Sequence, residues 1–473
     1  MIALVQCQWP TYIDGVPFLI PPRGGGNMRV LFIEIDTERQ WAVASLGPAF
    51  LAAYIRRVGH DASMVRIQED APVEELVEVV RKTQVDLIGI SLTSRQWLGA
   101  NRLLAGLREA MDIPVIAGGL HPTFAPEETI RHPGIDYVCL GEGERAFLYF
   151  VEALEAGVTI TNGLIDNIWI TGGTRPKLGP PFEPIDELPY MARDLLDEQY
   201  GVVNMTTQRG CPFACTYCAA RMYDELYEGN GTYGRRRSHA SVLAELDAIR
   251  AAGELNYVIF LDDTFTIHHP WVYEFCQIYG ERGGVPFSIH ARVETVNEKM
   301  INRLAEAGCR HITYGVESGS ERVRREIMKR PVSNHKMIDV FRWTREAGIL
   351  VTANYMMGVP GETRAEMQQT IDLHHELDPG DFGYFVFYPY PGTHLFQECR
   401  RLGYLPENYL ELPANHRESI LDLPEMTKED ITCMYDRWTQ IRIRHQLKRI
   451  GSENAPKHRD LITTEIEQCA AAG

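Results

Sequence analysis

The chain has 473 residues, which is enough for two or three domains with large apolar cores. Acidic residues outnumber basic ones by 64 to 47, and the formal net charge of −17 disfavours a polyanionic partner such as nucleic acid. No stretch approaches the roughly 18 consecutive apolar residues that a membrane-spanning helix needs. The ten cysteines are too sparse for an extracellular disulfide framework, so we expect a cytoplasmic protein.

The first 27 residues are rich in Pro and Gly, lack the pattern of a signal peptide, and predict a flexible tail. From residue 28 to about residue 165, short apolar runs alternate with helical patterns. The predicted strands are Met28–Ile35, Ala62–Ile67, Asp86–Leu92, Ile113–Gly119 and Ile135–Leu140. The predicted helices are Leu46–Val58, Pro72–Lys82, Trp97–Met111 and Glu144–Ala156. This alternation predicts a doubly wound, Rossmann-like α/β domain, in which ligands bind at the carboxyl ends of the strands.

Residues 166–197 contain several prolines and predict a semi-extended linker. Strand and helix patterns then alternate again over residues 198–400. The predicted strands are Val203–Gln208, Tyr257–Asp262, Phe287–Arg292, His311–Glu317, Leu350–Met356 and Phe382–Phe387. Six such βα units predict a partial (β/α)6 barrel with its active site at the C-terminal strand ends. Residues 401–473 predict a mostly helical C-terminal segment.

Three cysteines lie within eight residues directly after the first predicted barrel strand: Cys211, Cys215 and Cys218. Three thiolates favour zinc or an iron–sulfur cluster. Structural zinc needs four ligands, and no fourth cysteine or histidine follows nearby, since the next cysteine is Cys276. Three ligands would leave one iron of a [4Fe–4S] cube open, as a catalytic cluster requires. A zinc site or unreactive thiols are the alternatives.

The C-x3-C-x2-C spacing, with Tyr217 directly before Cys218, resembles the signature of the radical S-adenosylmethionine (SAM) superfamily. This resemblance implies that the amino and carboxylate groups of SAM chelate the open iron. It also implies that an electron from the cluster breaks the S–C5′ bond and produces a 5′-deoxyadenosyl radical.

The same resemblance implies SAM contacts at the ends of later strands. Glu317 would accept hydrogen bonds from the SAM ammonium, and Arg292 would pair with its carboxylate, unless Arg292 forms a plain salt bridge within the barrel. Asp262 would reach the ribose or the substrate, with helix capping in the adjacent loop as the alternative. The other implied SAM contacts are Tyr217, Gly315, Ser318 and Gly358, the last in a loop that resembles the family's G-x-x-G-E-T.

The N-terminal domain is similar to the cobalamin-binding domain of B12-dependent radical SAM enzymes. The clearest matching stretches are Ala117-Gly118-Gly119-Leu120-His121-Pro122-Thr123 and Gly141-Glu142-Gly143-Glu144. The implied cobalamin contacts are Ser91, Thr93, Gly118, Gly119, His121, Gly141 and Glu142. A regulatory domain that binds no nucleotide is the alternative.

The sequence departs from many cobalamin domains after the first strand. Where those domains carry D-x-H-x-x-G, this chain reads Asp36-Thr37-Glu38-Arg39-Gln40-Trp41 and has no histidine. We therefore predict that no histidine of this loop ligates cobalt. Gln40, Trp41 or Val43 is expected to face the lower side of the ring.

These resemblances imply a methyltransferase that uses SAM, a [4Fe–4S] cluster and cobalamin to methylate an unactivated carbon or phosphorus of a small molecule. An oxidative cyclase or a ring-rearranging enzyme with the same cofactors is the alternative, and a non-catalytic cobalamin or metal sensor is a third. An electron donor such as flavodoxin or ferredoxin is expected as a partner. Tyr388, Tyr390 and His394 are candidates to line the substrate cavity.

Overall fold

The computed structural model describes residues 11–13, 16–18, 27–37 and 46–450. The chain forms two compact units. Unit 1 comprises Met1–Gln199 together with Met222–Leu246, and unit 2 comprises Tyr200–Arg221 together with Asp247–Gly473. Residues 222–246 thus group with unit 1, whereas the sequence placed them in the barrel domain. Among the described helices, none is long and apolar enough to cross a membrane.

Unit 1 contains a six-stranded sheet, preceded by a small antiparallel pair formed by β1 (Thr11–Ile13) and β2 (Val16–Phe18). The sheet strands are β3 (Arg29–Asp36), β4 (Asp61–Gln68), β5 (Leu87–Ser91), β6 (Val115–Gly118), β7 (Tyr137–Cys139) and β8 (Ile168–Ile170). Their order is β4-β3-β5-β6-β7-β8, with β8 antiparallel to β7 and the others parallel. The strand order reverses between β3 and β5, which is where open α/β sheets bind ligands.

Six helices connect these strands: α1 (Leu46–Arg56), α2 (Val73–Thr83), α3 (Trp97–Ala110), α4 (Leu120–Phe124), α5 (Pro126–Arg131) and α6 (Glu144–Glu155). They form because apolar residues recur at helical spacing. In α2, for example, Leu76, Val77 and Val80 are buried while charged residues occupy the other face. β3 is buried along most of its length, as expected for a central parallel strand.

The structure differs from the predicted linker at residues 166–197. Ile168–Ile170 pairs antiparallel with β7 and extends the sheet. Two short 3₁₀ helices, Ile185–Glu187 and Arg193–Leu195, follow, and both Ile168 and Ile185 are buried. The prolines interrupt regular helices and strands here, but the segment still contributes buried residues to unit 1.

Unit 2 contains a second six-stranded sheet, made of β9 (Val202–Met205), β12 (Tyr257–Phe260), β13 (Phe287–Ala291), β14 (Cys309–Glu317), β15 (Leu350–Met357) and β16 (Asp381–Val386). All neighbours are parallel and follow chain order. This is a partial barrel, and the predicted fold class is confirmed. Two-residue strands also occur, β10 (Gln208–Arg209) in unit 2 and β11 (Arg235–Arg236) in unit 1.

The helices from residue 219 onward are α7 (Ala219–Leu226), α8 (His239–Ala252), α9 (His269–Glu281), α10 (Glu298–Glu306), α11 (Asn334–Glu346), α12 (Arg364–Leu377), α13 (His394–Leu402) and α14 (Lys428–Ile450). Short turns of helix lie at Val293–Thr295, Val323–Ile327 and Tyr409–Glu411. In the C-terminal segment, α14 packs against α12 and β16, where Trp438 is fully buried and stacks on Tyr355.

Candidate active site

The cysteine loop starts where β9 ends, at the carboxyl edge of the barrel sheet. Asp262, just after β12, accepts hydrogen bonds from the backbone N–H of Thr207 at 2.7 Å and of Gln208 at 3.0 Å. The Thr207 hydroxyl donates to its second carboxylate oxygen at 2.6 Å. Asp262 therefore fixes the start of the cysteine loop. Its predicted contact with the SAM ribose stays a prediction.

The three thiols of the loop are largely shielded from solvent. Cys211 and Cys215 are buried, and the Cys211 sulfur lies 3.8 Å from the Thr264 hydroxyl. Burial raises the pKa of Cys218 to about 12. A thiol of this kind ionises when a metal binds it.

Within the described part of the chain, no three His, Cys, Asp or Glu side chains form a group suited to a single metal ion. A structural zinc site needs four such ligands around one ion. A [4Fe–4S] cube takes one cysteine on each iron. Cys211, Cys215 and Cys218 would fill three of its four corners, which is one ligand fewer than structural zinc needs.

A chain of buried charges extends from the cysteine loop across the ends of β13 and β14. Arg292 donates to the Cys215 sulfur at 2.9 Å and to Glu294 at 2.7 Å. Arg330 donates to both oxygens of Glu294, at 2.8 and 3.0 Å, and to Glu317 at 3.1 Å. Burial opposes ionisation of Glu294, but the two arginines outweigh it and lower its pKa to about 2.

Glu317 is placed by an irregularity at the end of β14. The register against β15 shifts between Gly315 and Glu317, and Glu317 has a φ of +69°. Bulges of this kind re-aim side chains near active sites. A Cβ at Gly315 would overlap the Glu317 carboxylate and lie 3.1 Å from Arg330 Nη1, so only glycine leaves room for this ion pair. Burial raises the pKa of Glu317, while Arg330 and a hydrogen bond from Tyr217 oppose that effect.

Two features of this edge fit SAM. The Nε–H of Arg292 is buried and has no hydrogen-bond partner, so it can donate to an anion beside Cys215. Glu317 supplies a carboxylate a short distance along the same charge chain. An amino acid carries an ammonium and a carboxylate on one carbon, which matches this pair of opposite charges.

The loops after β14 and β15 are joined through Glu362. Its carboxylate accepts from the Gly358 backbone at 2.8 Å and from the Ser318 hydroxyl at 3.5 Å. Burial raises the pKa of Glu362 to about 8. Ser318 and Gly358 therefore shape the predicted SAM loops, and their direct contact with SAM stays a prediction.

The predicted substrate-lining residues make contacts within unit 2. Tyr388 is buried in an apolar cluster, and the Tyr390 hydroxyl lies 2.6 Å from His416 Nε2. His394 begins α13. Their exposure to a substrate stays a prediction.

At the carboxyl edge of the unit 1 sheet, Gly119 follows Gly118 and has a φ of +96°. A Cβ at Gly119 would lie 2.9 Å from both the Leu92 carbonyl oxygen and the Ser91 hydroxyl. The chain therefore passes the end of β5 at a distance that only glycine permits. Thr93 donates through its backbone N–H to the Gln96 side chain at 2.9 Å, which fixes the entry to α3.

His121 lies beside these glycines and is 2% exposed. Its ring stacks on Trp97 at 4.5 Å, and its Nδ1 lies 3.1 Å from the Ser94 hydroxyl. Its Nε2 is buried without a hydrogen-bond partner, and burial lowers the pKa of His121 to about 4. A neutral imidazole with one unused nitrogen and a glycine edge fit a large cofactor that carries polar groups, as cobalamin does.

The other predicted cobalamin contacts have protein partners or lie outside the described residues. Gly141 donates its N–H to the Thr123 hydroxyl at 3.0 Å. Glu142 accepts from the Phe182 N–H at 2.7 Å and from Arg235 at 3.0 Å. The loop residues predicted to face the lower side of the ring, which the structure does not describe, are Gln40, Trp41 and Val43.

Two members of the charge chain, Glu294 and Arg330, were not predicted from the sequence. Arg330 lies after a short π-helical turn and is 1% exposed. An arginine in a loop after a helical turn is normally solvent-exposed, and no local sequence pattern predicts its burial. Both residues were detectable only through pairing with distant parts of the chain.

Two parts of the chain match known protein families. Residues 39–151 match the B12 binding domain, and residues 205–374 match the Radical SAM superfamily. Together with the geometry, these matches define a cobalamin-binding radical SAM protein. The chain belongs to the radical SAM superfamily, within the group that carries an N-terminal B12-binding domain. The domains imply SAM, a [4Fe–4S] cluster and cobalamin as cofactors.

Two relatives by sequence match most of the chain. An uncharacterized methyltransferase of Pyrococcus horikoshii is 29% identical over 434 residues, which cover 86% of this chain and 90% of that protein. The cytidylyl-2-hydroxyethylphosphonate methyltransferase of Streptomyces wedmorensis is 24% identical, with 80% and 82% covered.

Two solved structures share the fold. TsrM of Kitasatospora setae, with cobalamin and a [4Fe–4S] cluster bound, has a TM-score of 0.65 at 17% identity and covers 86% of this chain and 81% of that one. The cobalamin-dependent SAM radical enzyme OxsB has a TM-score of 0.69 at 16% identity, with 93% and 71% covered.

Proposed function

We propose that the protein is a cobalamin-dependent radical SAM methyltransferase that acts on an unactivated carbon or phosphorus of a small molecule. The observation that carries this proposal is the match to a methyltransferase along 86% of this chain and 90% of the relative, through both domains. A match this long includes the cobalamin edge as well as the cysteine loop. The cytidylyl-2-hydroxyethylphosphonate methyltransferase, a second relative named for methyl transfer, also supports the proposal.

Different residues would bind the cofactors at the carboxyl edges of the two sheets. Cys211, Cys215 and Cys218 would hold the cluster, while Glu317 and Arg292 would orient the ammonium and carboxylate of SAM. The edge at Gly119 and His121 would hold cobalamin. When bound, the cofactors supply reductive cleavage of SAM and a transferable methyl group, and the protein supplies position and exclusion of water.

The partners follow from this chemistry. The cluster needs single electrons, so the proposal includes a flavodoxin or ferredoxin as donor. A small-molecule substrate is supported by the structure of TsrM with tryptophan bound.

A second candidate function keeps the cofactors and omits methyl transfer. The anaerobic magnesium-protoporphyrin IX monomethyl ester cyclase of Rubrivivax gelatinosus is 25% identical over 395 residues, with 78% of this chain and 70% of the cyclase covered. An oxidative cyclase would use the same cysteine loop and the same cobalamin edge.

Product analysis separates the two functions. The protein is reconstituted anaerobically with iron, sulfide and hydroxocobalamin, then incubated with SAM, reductant and candidate substrates. A methyltransferase gives S-adenosylhomocysteine, 5′-deoxyadenosine and a methylated product. A cyclase gives 5′-deoxyadenosine, methionine and a cyclised product, but no S-adenosylhomocysteine. Protein with Cys215→Ala is the control and should give no 5′-deoxyadenosine. Failure of the reconstituted wild-type protein to cleave SAM would reject both functions.

A further inference from the structure

Arg292 is held directly against the cysteine loop. Its Nη1–H donates to the Cys215 sulfur at 2.9 Å, and its guanidinium lies 3.9 Å from the ring centre of Phe213, another residue of that loop. The side chain is only 11% exposed. A donor this enclosed keeps its hydrogen bond, because little water is present to replace it.

Two further residues set the orientation of Arg292. Glu294 accepts from Arg292 Nη2 at 2.7 Å. Arg330 in turn holds Glu294 through two bonds of 2.8 and 3.0 Å. The guanidinium is therefore fixed on one side by its carboxylate and directs its other terminal nitrogen at Cys215.

A hydrogen bond to a cysteine ligand changes the redox behaviour of an iron–sulfur cluster. Reduction adds one electron and makes the cluster and its thiolates more negative. A positively charged N–H donor at a ligand sulfur stabilises that reduced state more than the oxidised one, and burial strengthens the effect.

We propose that Arg292 raises the reduction potential of the cluster through its hydrogen bond to Cys215, with Glu294 and Arg330 as positioning residues. This inference rests on the proposed function for the presence of the cluster. It goes beyond that function because it gives Arg292 a role before SAM binds. One electron from the external donor enters the cluster, and no bond is made or broken in this step.

The test is a potentiometric titration of the reconstituted protein without SAM, followed by electron paramagnetic resonance of the reduced cluster. Arg292→Gln removes the charge, and we expect the reduction equilibrium to shift at least tenfold toward the oxidised cluster, or ~59 mV for one electron. Arg292→Lys keeps the charge and loses the forked geometry, so it should show a smaller shift in the same direction. Arg310→Gln removes an exposed guanidinium from the start of β14 and should leave the potential unchanged.

The outcomes are distinguishable. An unchanged potential in Arg292→Gln, with iron content equal to wild type and weaker SAM binding, would overturn the inference and leave Arg292 as a SAM ligand only. If Arg292→Gln assembles no cluster, the Lys variant decides, and an unchanged potential there overturns the inference. A wild-type protein that assembles no cluster would instead contradict the proposed function.

Discussion

The two sheets present different chemistry at their carboxyl edges. At the unit 1 edge, Gly119 brings the chain close to β5, and the imidazole of His121 is neutral. At the unit 2 edge, four ionisable side chains are joined in a chain, with Arg292 and Arg330 against Glu294 and Glu317. Both edges come from parallel α/β sheets, so the difference lies in the residues and not in the fold.

The difference corresponds to the two kinds of cofactor. A large ring needs close backbone approach along a broad surface, which glycine permits and a charged side chain would obstruct. SAM carries an ammonium, a carboxylate and a sulfonium, and it needs fixed opposite charges. Substitutions at one edge should therefore affect one cofactor and leave the other in place.

The largest effect is expected from Cys215→Ala. Loss of one of three thiolates should prevent stable cluster assembly, so iron and sulfide content should fall and 5′-deoxyadenosine should become undetectable. Cobalamin binding should be retained, because Cys215 belongs to unit 2. Cys433→Ala, which removes an exposed thiol from α14, should change none of these quantities. Loss of cobalamin in Cys215→Ala would show that the two edges are not independent.

The second effect concerns the stability of unit 2. Arg330→Met removes a 1% exposed guanidinium and leaves Glu294 and Glu317 without their shared counter-charge. Breaking a buried ion pair in this way costs about 3–5 kcal/mol. We expect a large fall in the melting temperature of the apo protein, measured by calorimetry.

The matched control for this variant is Arg342→Met. Arg342 lies on α11 and pairs with Asp339 at 2.9 Å, but its side chain is 48% exposed. Exposed pairs contribute little to stability, so the melting temperature should stay that of the wild type. Equal melting temperatures for the two variants would mean that the charge chain does not stabilise unit 2.

The third effect should appear at the unit 1 edge. Gly119→Ala places a Cβ 2.9 Å from the Leu92 carbonyl oxygen and the Ser91 hydroxyl, at a φ of +96°. Residue 119 must move away from Ser91 and Leu92 to accept the added methyl group. We expect cobalamin affinity to fall about tenfold, equivalent to ~1.4 kcal/mol. Titration of the apo protein with hydroxocobalamin, followed by absorbance, measures this.

Gly157→Ala separates backbone strain from the clash. Gly157 has a φ of +68°, and a Cβ there would meet no atom within 4 Å. This variant also places alanine at a positive φ, but away from the edge at Gly119, and it should bind cobalamin as the wild type does. Equal losses in both variants would assign the effect to general strain in unit 1.

Much of the fold and of the candidate site could be predicted from the sequence, because local sequence patterns determine them. Alternating apolar runs predicted β14 within two residues, and the cysteine spacing together with Glu317 indicated the SAM edge. What could not be predicted depends on distant pairing. Arg330 joins Glu294 across 36 residues, and β8 is only three residues long within a Pro-rich region. Asp262 binds Thr207 and Gln208, which lie more than 50 residues earlier in the chain, and no local pattern predicts this pairing.

The smallest effect is a pH dependence of unit 1. Burial lowers the pKa of His121 from 6.5 to about 4, so the unfolded imidazole takes up a proton before the folded one does. The contribution of neutral His121 to the stability of unit 1 is therefore fully present above pH 6.5. It falls as the pH decreases toward 4. Between pH 7 and pH 5.5 the contribution of His121 should decrease by about 1 kcal/mol. Amide hydrogen exchange in the helix Trp97–Ala110, which carries the stacking partner of His121, measures this local stability.

His121→Gln should remove this part of the pH dependence, because glutamine does not titrate. His335→Gln provides the comparison, since the side chain of His335 is 88% exposed and belongs to unit 2. Protection factors are compared, because intrinsic amide exchange itself slows on acidification. If the protection factors of α3 fall equally in both variants, other groups govern the acid stability of unit 1. A smaller fall in His121→Gln alone would show that the unit 1 edge depends on a neutral imidazole, whereas the unit 2 edge depends on paired charges.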